Sequence, residues 1–226
     1  MLRTVVLILV ISVAGLAVAR AQVAPSASDI GGYAGLHKAA YENDLDGVQK
    51  LIADGADLNA RDGNGRTPAH VAAFASNDDA LRLLAEAGAD MNALENGVYD
   101  VVTIAAVAND PELVSLAIEL GNSPGLTTSI YDGTALIAAA HLGHAEVVRR
   151  LIDAGAPLDH VNNLHWTALM EAVVLGDGGP DHVATVKALV EGGADISLTD
   201  RDGVTPLQHA ISRGYREIAE IIRNGE

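Results

Sequence analysis

The chain has 226 residues, a formal net charge of −16 at pH 7 and only 3% aromatic residues, and it contains no cysteine. The lack of cysteine excludes disulfides and a lipid-anchored amino terminus, and the acidity disfavours binding to nucleic acids or to anionic lipid surfaces. A surface this acidic favours a partner with a basic patch, although the same charge also keeps a protein soluble.

Residues 1–21 differ from the rest of the chain. Arg3 is followed by an uncharged run up to Ala19, and the motif Ala19-Arg20-Ala21 ends the segment. A basic start, an apolar core and a small-x-small site together predict a secretory signal peptide. We expect cleavage after Ala21, with Ala17-Val18-Ala19 as the second candidate site. The alternative is an uncleaved membrane anchor, for which the run is short because a span needs about 20 apolar residues.

The segment 22–31 follows the expected cleavage site. It contains Pro25, Ser26 and Ser28, and this composition predicts a flexible tether. A secreted eukaryotic protein of this size would more often carry disulfides, so the signal peptide and the lack of cysteine together indicate the bacterial periplasm. If the signal were retained, the protein would be anchored in the inner membrane and face the periplasm. After cleavage we expect no membrane insertion.

A short loop motif recurs along the remainder of the chain. Gly55-Ala56-Asp57-Leu58-Asn59 returns 33 residues later as Gly88-Ala89-Asp90-Met91-Asn92, and weaker copies begin at Gly155 and Gly193. A fixed period of this length is typical of a stacked repeat array, in which each unit buries its apolar face on its neighbours.

A second motif keeps phase with the loop. It reads Thr67-Pro68-Ala69-His70 in one unit, and related copies begin at Thr134, Thr167 and Thr205. Threonine before an apolar run predicts the start of a helix, and proline suits the first turn of that helix. An apolar residue also lies seven positions before each loop glycine, namely Val48, Leu81, Val114, Val148 and Val186. With leucines three residues later, these positions predict a second helix with one buried stripe.

These phased motifs resemble the ankyrin repeat, most clearly over residues 62–93. The resemblance covers about residues 32–226. It implies an all-α solenoid of about six helix-turn-helix units with short hairpin turns and degenerate end caps. The units are expected at residues 32–61, 62–94, 95–128, 129–161, 162–199 and 200–226.

Two units depart from the motif. In the third unit, Asp100-Val101-Val102-Thr103 replaces the Thr-Pro turn. The fifth unit carries an insertion over residues 177–181, which we expect as a surface loop between its two helices.

The resemblance also implies where a partner would bind. Ankyrin arrays use the turn before each Thr-Pro motif and the ends of the first helices, and in this chain those positions are rich in aromatic residues, which are enriched in protein interfaces. The predicted contact residues are Tyr41, Phe74, Tyr99, Tyr131 and Trp166, with Leu142 and Leu175 as apolar neighbours and Arg66, Arg213 and His141 as polar neighbours. For Trp166, packing over the neighbouring turn is an equally weighted structural alternative.

The sequence contains no constellation typical of an enzyme and no cofactor motif, so we expect neither catalysis nor a cofactor. The alternative from another class is a metal- or small-ligand-binding sensor or enzyme centred on His141, His144 and the insert 177–181, because two imidazoles at i, i+3 can share a metal. For His37, His70 and His209 the resemblance implies structural hydrogen bonds. The favoured hypothesis is a non-catalytic, monomeric scaffold in the periplasm that binds a partner protein and protects or inhibits an exported enzyme or toxin.

Overall fold

The computed structural model describes residues 22–225, so the predicted signal peptide lies outside the described residues. Within this range the regular elements are helices, apart from a single bridge between Thr128 and Gly133. In chain order the helices are α1 (Ala27–Gly32), α2 (Gly35–Glu42), α3 (Leu45–Ala53), α4 (Pro68–Ala75), α5 (Asp78–Glu86), α6 (Val101–Val107), α7 (Pro111–Glu119), α8 (Ala135–Leu142), α9 (Ala145–Asp153), α10 (Ala168–Val174), α11 (Pro180–Glu191), α12 (Pro206–Arg213) and α13 (Arg216–Asn224).

The predicted all-α fold is confirmed. Six helix pairs, from α2/α3 to α12/α13, follow the short helix α1, and each pair corresponds to one expected unit. Residues 177–179 of the insert lie between the end of α10 and the start of α11, and residues 180–181 form the first turn of α11. None of the helices over residues 22–225 is both long and apolar enough to cross a membrane.

The helix pairs stack into two layers. The first helices of successive pairs contact one another in order from α2 to α12, while each second helix packs on the first helix of its own pair. A continuous core runs between the layers. The predicted apolar stripe of the second helices, Val48, Leu81, Val114, Val148 and Val186, has no exposed surface. Because each unit buries its apolar face on the next one, the array needs no large single core.

The threonine turns explain where the first helices begin. Thr134, Thr167 and Thr205 each accept the backbone N–H of the residue three positions on, which satisfies one of the donors that a helix start leaves unpaired. In the second unit, the Thr67 N–H donates to Nδ1 of His70 at 3.1 Å, and His70 Nε2 donates to the carbonyl oxygen of Tyr99 at 3.1 Å.

Burial lowers the pKa of His70 to about 4, so its ring is neutral at pH 7 and can accept at one nitrogen and donate at the other. His37 Nε2 makes the equivalent bond with the Arg66 carbonyl oxygen at 2.8 Å. In the sixth unit, His209 Nε2 donates instead to Oδ2 of Asp200 at 2.7 Å. These three histidines have structural partners within the array.

The third unit folds without the Thr-Pro turn because a carboxylate replaces it. Oδ1 of Asp100 accepts the Thr103 N–H at 2.8 Å, and Oδ2 accepts from the Asn122 side-chain amide at 2.8 Å. Oδ1 of Asn122 in turn accepts the Val102 N–H at 3.0 Å. Asp100 and Asn122 are buried, and their polar atoms are paired with each other and with the start of α6. A carboxylate is as good a helix cap as threonine, which is why this departure from the motif keeps the fold.

Side chains near the start of the second helices tie neighbouring units together. Each donates to carbonyl oxygens near the end of the first helix of the preceding unit. The donors are Asn77 (to Ala40 at 2.8 Å and Tyr41 at 2.7 Å), His144 (to Ala106 at 2.9 Å), His182 (to His141 at 3.0 Å) and Tyr215 (to Gly176 at 3.0 Å). These bonds satisfy carbonyls that a helix end leaves unpaired, and they fix the spacing between consecutive units.

The segment predicted as a flexible tether, residues 22–31, contains the helix α1. Ser26 and Asp29 form a capping box, in which Ser26 accepts the Asp29 N–H at 3.1 Å and Asp29 accepts the Ser26 N–H at 2.8 Å. The prediction was wrong here because proline and serine, read as loop residues, also occur where a helix starts. The Ser-x-x-Asp spacing was the signal that could have identified it.

Val98 is the strained position among the hairpin turns. The turns of the second and last units place Gly65 and Gly203 at φ 76° and 75°, whereas the third unit holds Val98 at φ 67°. A β-branched residue in this left-handed region is an outlier. Val98→Gly is therefore expected to raise the free energy of unfolding by about 1 kcal/mol, because strain of roughly 1–3 kcal/mol outweighs the glycine entropy of about 0.5–1 kcal/mol. Urea unfolding followed by circular dichroism would measure the gain.

Val161 provides the matched control for this prediction. It lies in a later hairpin, is 45% exposed and is not among the residues with positive φ. Val161→Gly should therefore lower the unfolding free energy by about 0.5–1 kcal/mol. A loss of stability in both variants would show that Val98 is not strained.

Candidate protein-binding surface

The structure places the five predicted aromatic contacts on the turns and helix ends of five consecutive units. Tyr41 and Phe74 occupy corresponding positions at the ends of α2 and α4, while Tyr99 and Trp166 directly precede the caps of α6 and α10. Tyr131 lies within the hairpin closed by the Thr128–Gly133 bridge. All five are half-buried, so each ring packs on the array and keeps an accessible edge. We call this set the aromatic face.

The centre of the aromatic face is formed where the third and fourth units meet. The Ser129 N–H donates to the Val98 carbonyl oxygen at 2.9 Å, which joins the two hairpins. Burial, together with nearby Glu95 and Tyr131, raises the pKa of Tyr99, so its hydroxyl stays protonated at neutral pH. The next hairpin continues the series, because the Asn163 N–H donates to the Tyr131 carbonyl oxygen at 2.9 Å. Tyr99 and Tyr131 are thus brought together, with Trp166 one unit further on.

Three of the predicted neighbours are accessible and one is not. Leu142 and Leu175 are half-buried at the ends of α8 and α10, and Arg213 is exposed, with its guanidinium carbon 5.9 Å from the ring centroid of Tyr215. Arg66, predicted as a polar contact, is only 3% exposed. Residues 22–33 lie over Arg66 and pair with its guanidinium, so the predicted contact is covered in this structure.

His141 faces a buried carboxylate. Its Nδ1 donates to Oε2 of Glu171 at 2.9 Å, and Oε1 of Glu171 accepts from the Asn162 amide at 2.9 Å. Glu171 is 5% exposed, so this contact links the fourth unit to the fifth through a buried charged group. One ring nitrogen of His141 is therefore hydrogen-bonded within the array.

The alternative metal or ligand site receives no support from this geometry. His144 Nδ1 donates to the Ala106 carbonyl oxygen at 2.9 Å, away from the His141–Glu171 pair. Burial lowers the pKa of His144, as expected for an imidazole held neutral in the array. Next to the insert, His182 Nδ1 lies 3.0 Å from Oδ1 of Asp177. Across residues 22–225, no group of three or more His, Cys, Asp or Glu side chains is arranged to hold a metal ion.

Two exposed apolar residues extend the aromatic face. Ile130 is 51% exposed beside Tyr131, and Val161 is 45% exposed in the hairpin that leads to Trp166. Sequence reasoning missed both because it considered aliphatic residues at the ends of the first helices but only aromatic residues in the turns. The signal was available, since a large aliphatic residue in a turn that favours polar types is a candidate contact.

The charge of this region is one-sided. The chain has no lysine or arginine between Arg82 and Arg149, a stretch that includes the third unit and most of the fourth. The acidic residues of the same stretch are Glu86, Asp90, Glu95, Asp100, Asp110, Glu112, Glu119, Asp132 and Glu146. Asp100 and Asp110 are buried and Glu146 pairs with Arg149 and Arg150, so the negative surface charge of the stretch comes from the other six acidic residues.

Comparison with known proteins identifies the repeats. A family model described as ankyrin repeats (3 copies) matches residues 8–97 and 102–200, and one described as ankyrin repeats (many copies) matches residues 180–222. The putative ankyrin repeat protein YahD of Escherichia coli (strain K12) is 40% identical over 93 residues, which are 41% of this chain and 46% of YahD. The protein phosphatase 1 regulatory subunit 27 of Mus musculus is 41% identical over 81 residues, which are 35% of this chain and 49% of that protein. The matched part thus spans about half the length of these relatives.

A solved structure agrees over a longer stretch. The crystal structure of an ankyrin repeat domain from Acinetobacter baumannii AYE superposes with a TM-score of 0.79 at 41% sequence identity and covers 84% of this chain and 96% of that domain. Ankyrin repeats are in general protein–protein interaction modules, and the fold is typically non-catalytic. The chain belongs to the ankyrin repeat family.

Proposed function

We propose that this protein is a non-catalytic, monomeric binding module of the bacterial periplasm that recognises a protein partner through the aromatic face. The observation that carries the proposal is the row of half-buried aromatic rings on five consecutive units, extended by the exposed side chains of Ile130 and Val161. Exposed apolar surface of this kind marks interaction sites, and aromatic residues contribute most to protein interfaces.

The charge of the same region suggests what the partner presents. With no lysine or arginine between Arg82 and Arg149, the centre of the aromatic face lies in a negative field. A partner with a basic patch around an apolar centre would be attracted to it, and its association rate would fall as salt increases. Nucleic acid, which is itself anionic, would be repelled.

The compartment and the biological role are part of the proposal. The basic start, apolar run and Ala-Arg-Ala site of residues 1–21 support export and cleavage, and an uncleaved inner-membrane anchor is the alternative. In the periplasm, such a module would protect or inhibit an exported enzyme or toxin. The name of the mouse relative describes a regulatory subunit of a phosphatase, and a regulatory role toward an enzyme is what we propose for this chain.

The test is capture of partners from periplasmic extract with a Tyr131→Ala/Trp166→Ala variant. We expect the wild-type chain to recover a specific protein that the double variant loses, because the two large side chains at the centre of the interface are removed. Recovery should also decrease at high salt. Mass spectrometry identifies the protein, and far-UV circular dichroism checks that helical content is unchanged.

Ile211→Ala is the matched control for this experiment. Ile211 is 52% exposed but lies on α12 in the last unit, outside the aromatic face. This variant should recover the same protein as the wild type. Equal recovery by the double variant would show that the aromatic face is not the contact surface.

A further inference from the structure

Arg66 is held by a segment that does not belong to its own repeat. We call residues 22–33 the N-terminal strap. Arg66 Nη2 donates to the Val23 carbonyl oxygen at 2.9 Å, and Nη1 lies 3.3 Å from Oδ2 of Asp29 in the strap. Nη1 is also 3.4 Å from Oδ2 of Asp62 in the array. The guanidinium carbon lies 5.7 Å from the ring centroid of Phe74. Together these groups leave the Arg66 side chain 4% exposed.

The strap is attached mainly by polar contacts, and its apolar packing is confined to its end, where the half-buried Tyr33 ring lies 5.6 Å from the ring of His37 and 6.3 Å from that of Tyr41. Helix α1 has no buried residue, and Val23 is 65% exposed. Beyond the contacts to Arg66, Asp29 Oδ1 accepts from Asn64 at 3.3 Å, and the Tyr33 hydroxyl donates to Oδ2 of Asp62 at 3.1 Å. Burial of apolar surface is the main stabilising contribution in folded proteins, so a segment whose helix has no fully buried residue opens at lower cost than a repeat unit does.

A groove that is open to solvent lies beside the strap. It has a volume of about 400 Å³ and is lined by residues of the strap, of α2 and of the first hairpin, among them Asp29, Tyr33, His37, Arg61 and Asp62. The strap therefore borders solvent along this edge as well as on its outer surface.

The position of Arg66 explains what an open strap would expose. Arg66 directly precedes the helix cap Thr67, just as Tyr99 and Trp166 directly precede the caps of later first helices. Arg66 therefore continues the hairpin positions of the aromatic face toward the amino-terminal end of the array. An arginine guanidinium is planar and pairs with carboxylates through two parallel hydrogen bonds. With the strap open, the Arg66 guanidinium beside the Phe74 ring would bind a ligand that carries a carboxylate and, next to it, a hydrogen-bond acceptor.

We propose that the N-terminal strap is an internal ligand of Arg66 that can be replaced by an acidic peptide segment of a partner. In the bound state, a carboxylate of that segment takes the place of Asp29, and a backbone carbonyl oxygen takes the place of Val23. The inference concerns the amino-terminal end of the array and stands independently of what binds at Tyr131 and Trp166. Because the strap is tethered, it has an effective concentration in the millimolar range and excludes weak competitors.

The test uses a labelled synthetic peptide with the sequence of residues 22–33 as the probe. Its binding to the full chain is measured by fluorescence anisotropy for the wild type, for Asp29→Asn and for the control Asp46→Asn. Asp46 is exposed in the first turn of α3, so this control makes the same change of charge away from the strap. We expect the Asp29→Asn chain to bind the peptide about tenfold more tightly than the other two, because its own strap has lost the carboxylate.

A second variant and a second peptide complete the test. Ser26→Ala removes the N-cap of α1 and leaves Asp29 in place, so it should also increase peptide binding, by a smaller factor. A peptide with Asp29→Asn should bind every chain about tenfold more weakly than the parent peptide. In hydrogen exchange, residues 26–33 of the Asp29→Asn chain should exchange faster, while α4 to α12 keep their protection.

Three results would overturn the proposal. The first is equal affinity of the wild-type, Asp29→Asn and Asp46→Asn chains for the peptide, including no measurable binding to any of them. The second is equal binding of the two peptides, which would show that the carboxylate is not recognised. The third is loss of protection throughout the array in Asp29→Asn, which would identify the strap as a structural cap of the fold.

Discussion

Truncation of Leu151 to alanine is expected to lower the free energy of unfolding by about 2–5 kcal/mol. Leu151 lies in α9, has no exposed surface and belongs to the continuous core between the two helix layers. Its neighbours are held from both sides by adjacent units, so they cannot collapse fully into the space that the missing atoms leave. Chemical unfolding followed by circular dichroism would measure the loss from the shift of the midpoint.

Leu51 is the matched control for Leu151. It occupies the corresponding place in α3 of the first unit, but there it is only half-buried against the core. Leu51→Ala should therefore cost clearly less, roughly 1–2 kcal/mol. If Leu151→Ala cost no more than Leu51→Ala, the core would not be continuous through the fourth unit.

Replacement of Glu171 by alanine is expected to cost about 3–5 kcal/mol. The carboxylate is buried and accepts from His141 Nδ1 and from the Asn162 amide, each at 2.9 Å. Its removal leaves these two donors inside the array without their acceptor, and an unsatisfied buried polar group carries its full desolvation penalty. Unfolding in urea would measure the change, and the fourth and fifth units should lose hydrogen-exchange protection first.

Two further variants separate the buried contact from a general effect of charge. Glu146 is exposed and pairs with Arg149 and Arg150, both at 3.1 Å, so Glu146→Ala should cost less than about 1 kcal/mol. A double-mutant cycle between Glu171→Ala and His141→Ala should give a coupling energy of about 1–3 kcal/mol. Additive effects of the two substitutions would mean that the pair contributes nothing beyond the separate side chains.

The repeat architecture was predictable because the motifs encode backbone geometry directly. Glycine at the loop, threonine at the helix start and apolar residues at fixed spacing each determine the structure within a few residues of themselves. Since the same spacing recurs, one correct assignment fixes the others. The six helix pairs and the buried residues such as Val48 and Val186 follow from this regularity.

The features that could not be predicted depend on contacts between distant residues. The environment of Arg66 is determined by Asp29, which is 37 positions away and belongs to no repeat. Likewise, the network of Asp100 and Asn122 replaces the turn motif by pairing two residues that are 22 positions apart. No periodic pattern signals such pairs. The aromatic face was predictable in part. The positions of its residues follow from the family pattern, whereas its partner remains a prediction.

The binding that we propose at the aromatic face would start from an ordered surface. The side chains of Asn77, His144, His182 and Tyr215 hold successive helix ends at a fixed spacing. A surface that is rigid before binding loses little conformational entropy when it is covered. The heat-capacity change of binding should then reflect the apolar area buried, without the extra contribution of a segment that folds on binding. The conformational entropy of this surface is therefore lost when the array folds, before any partner binds.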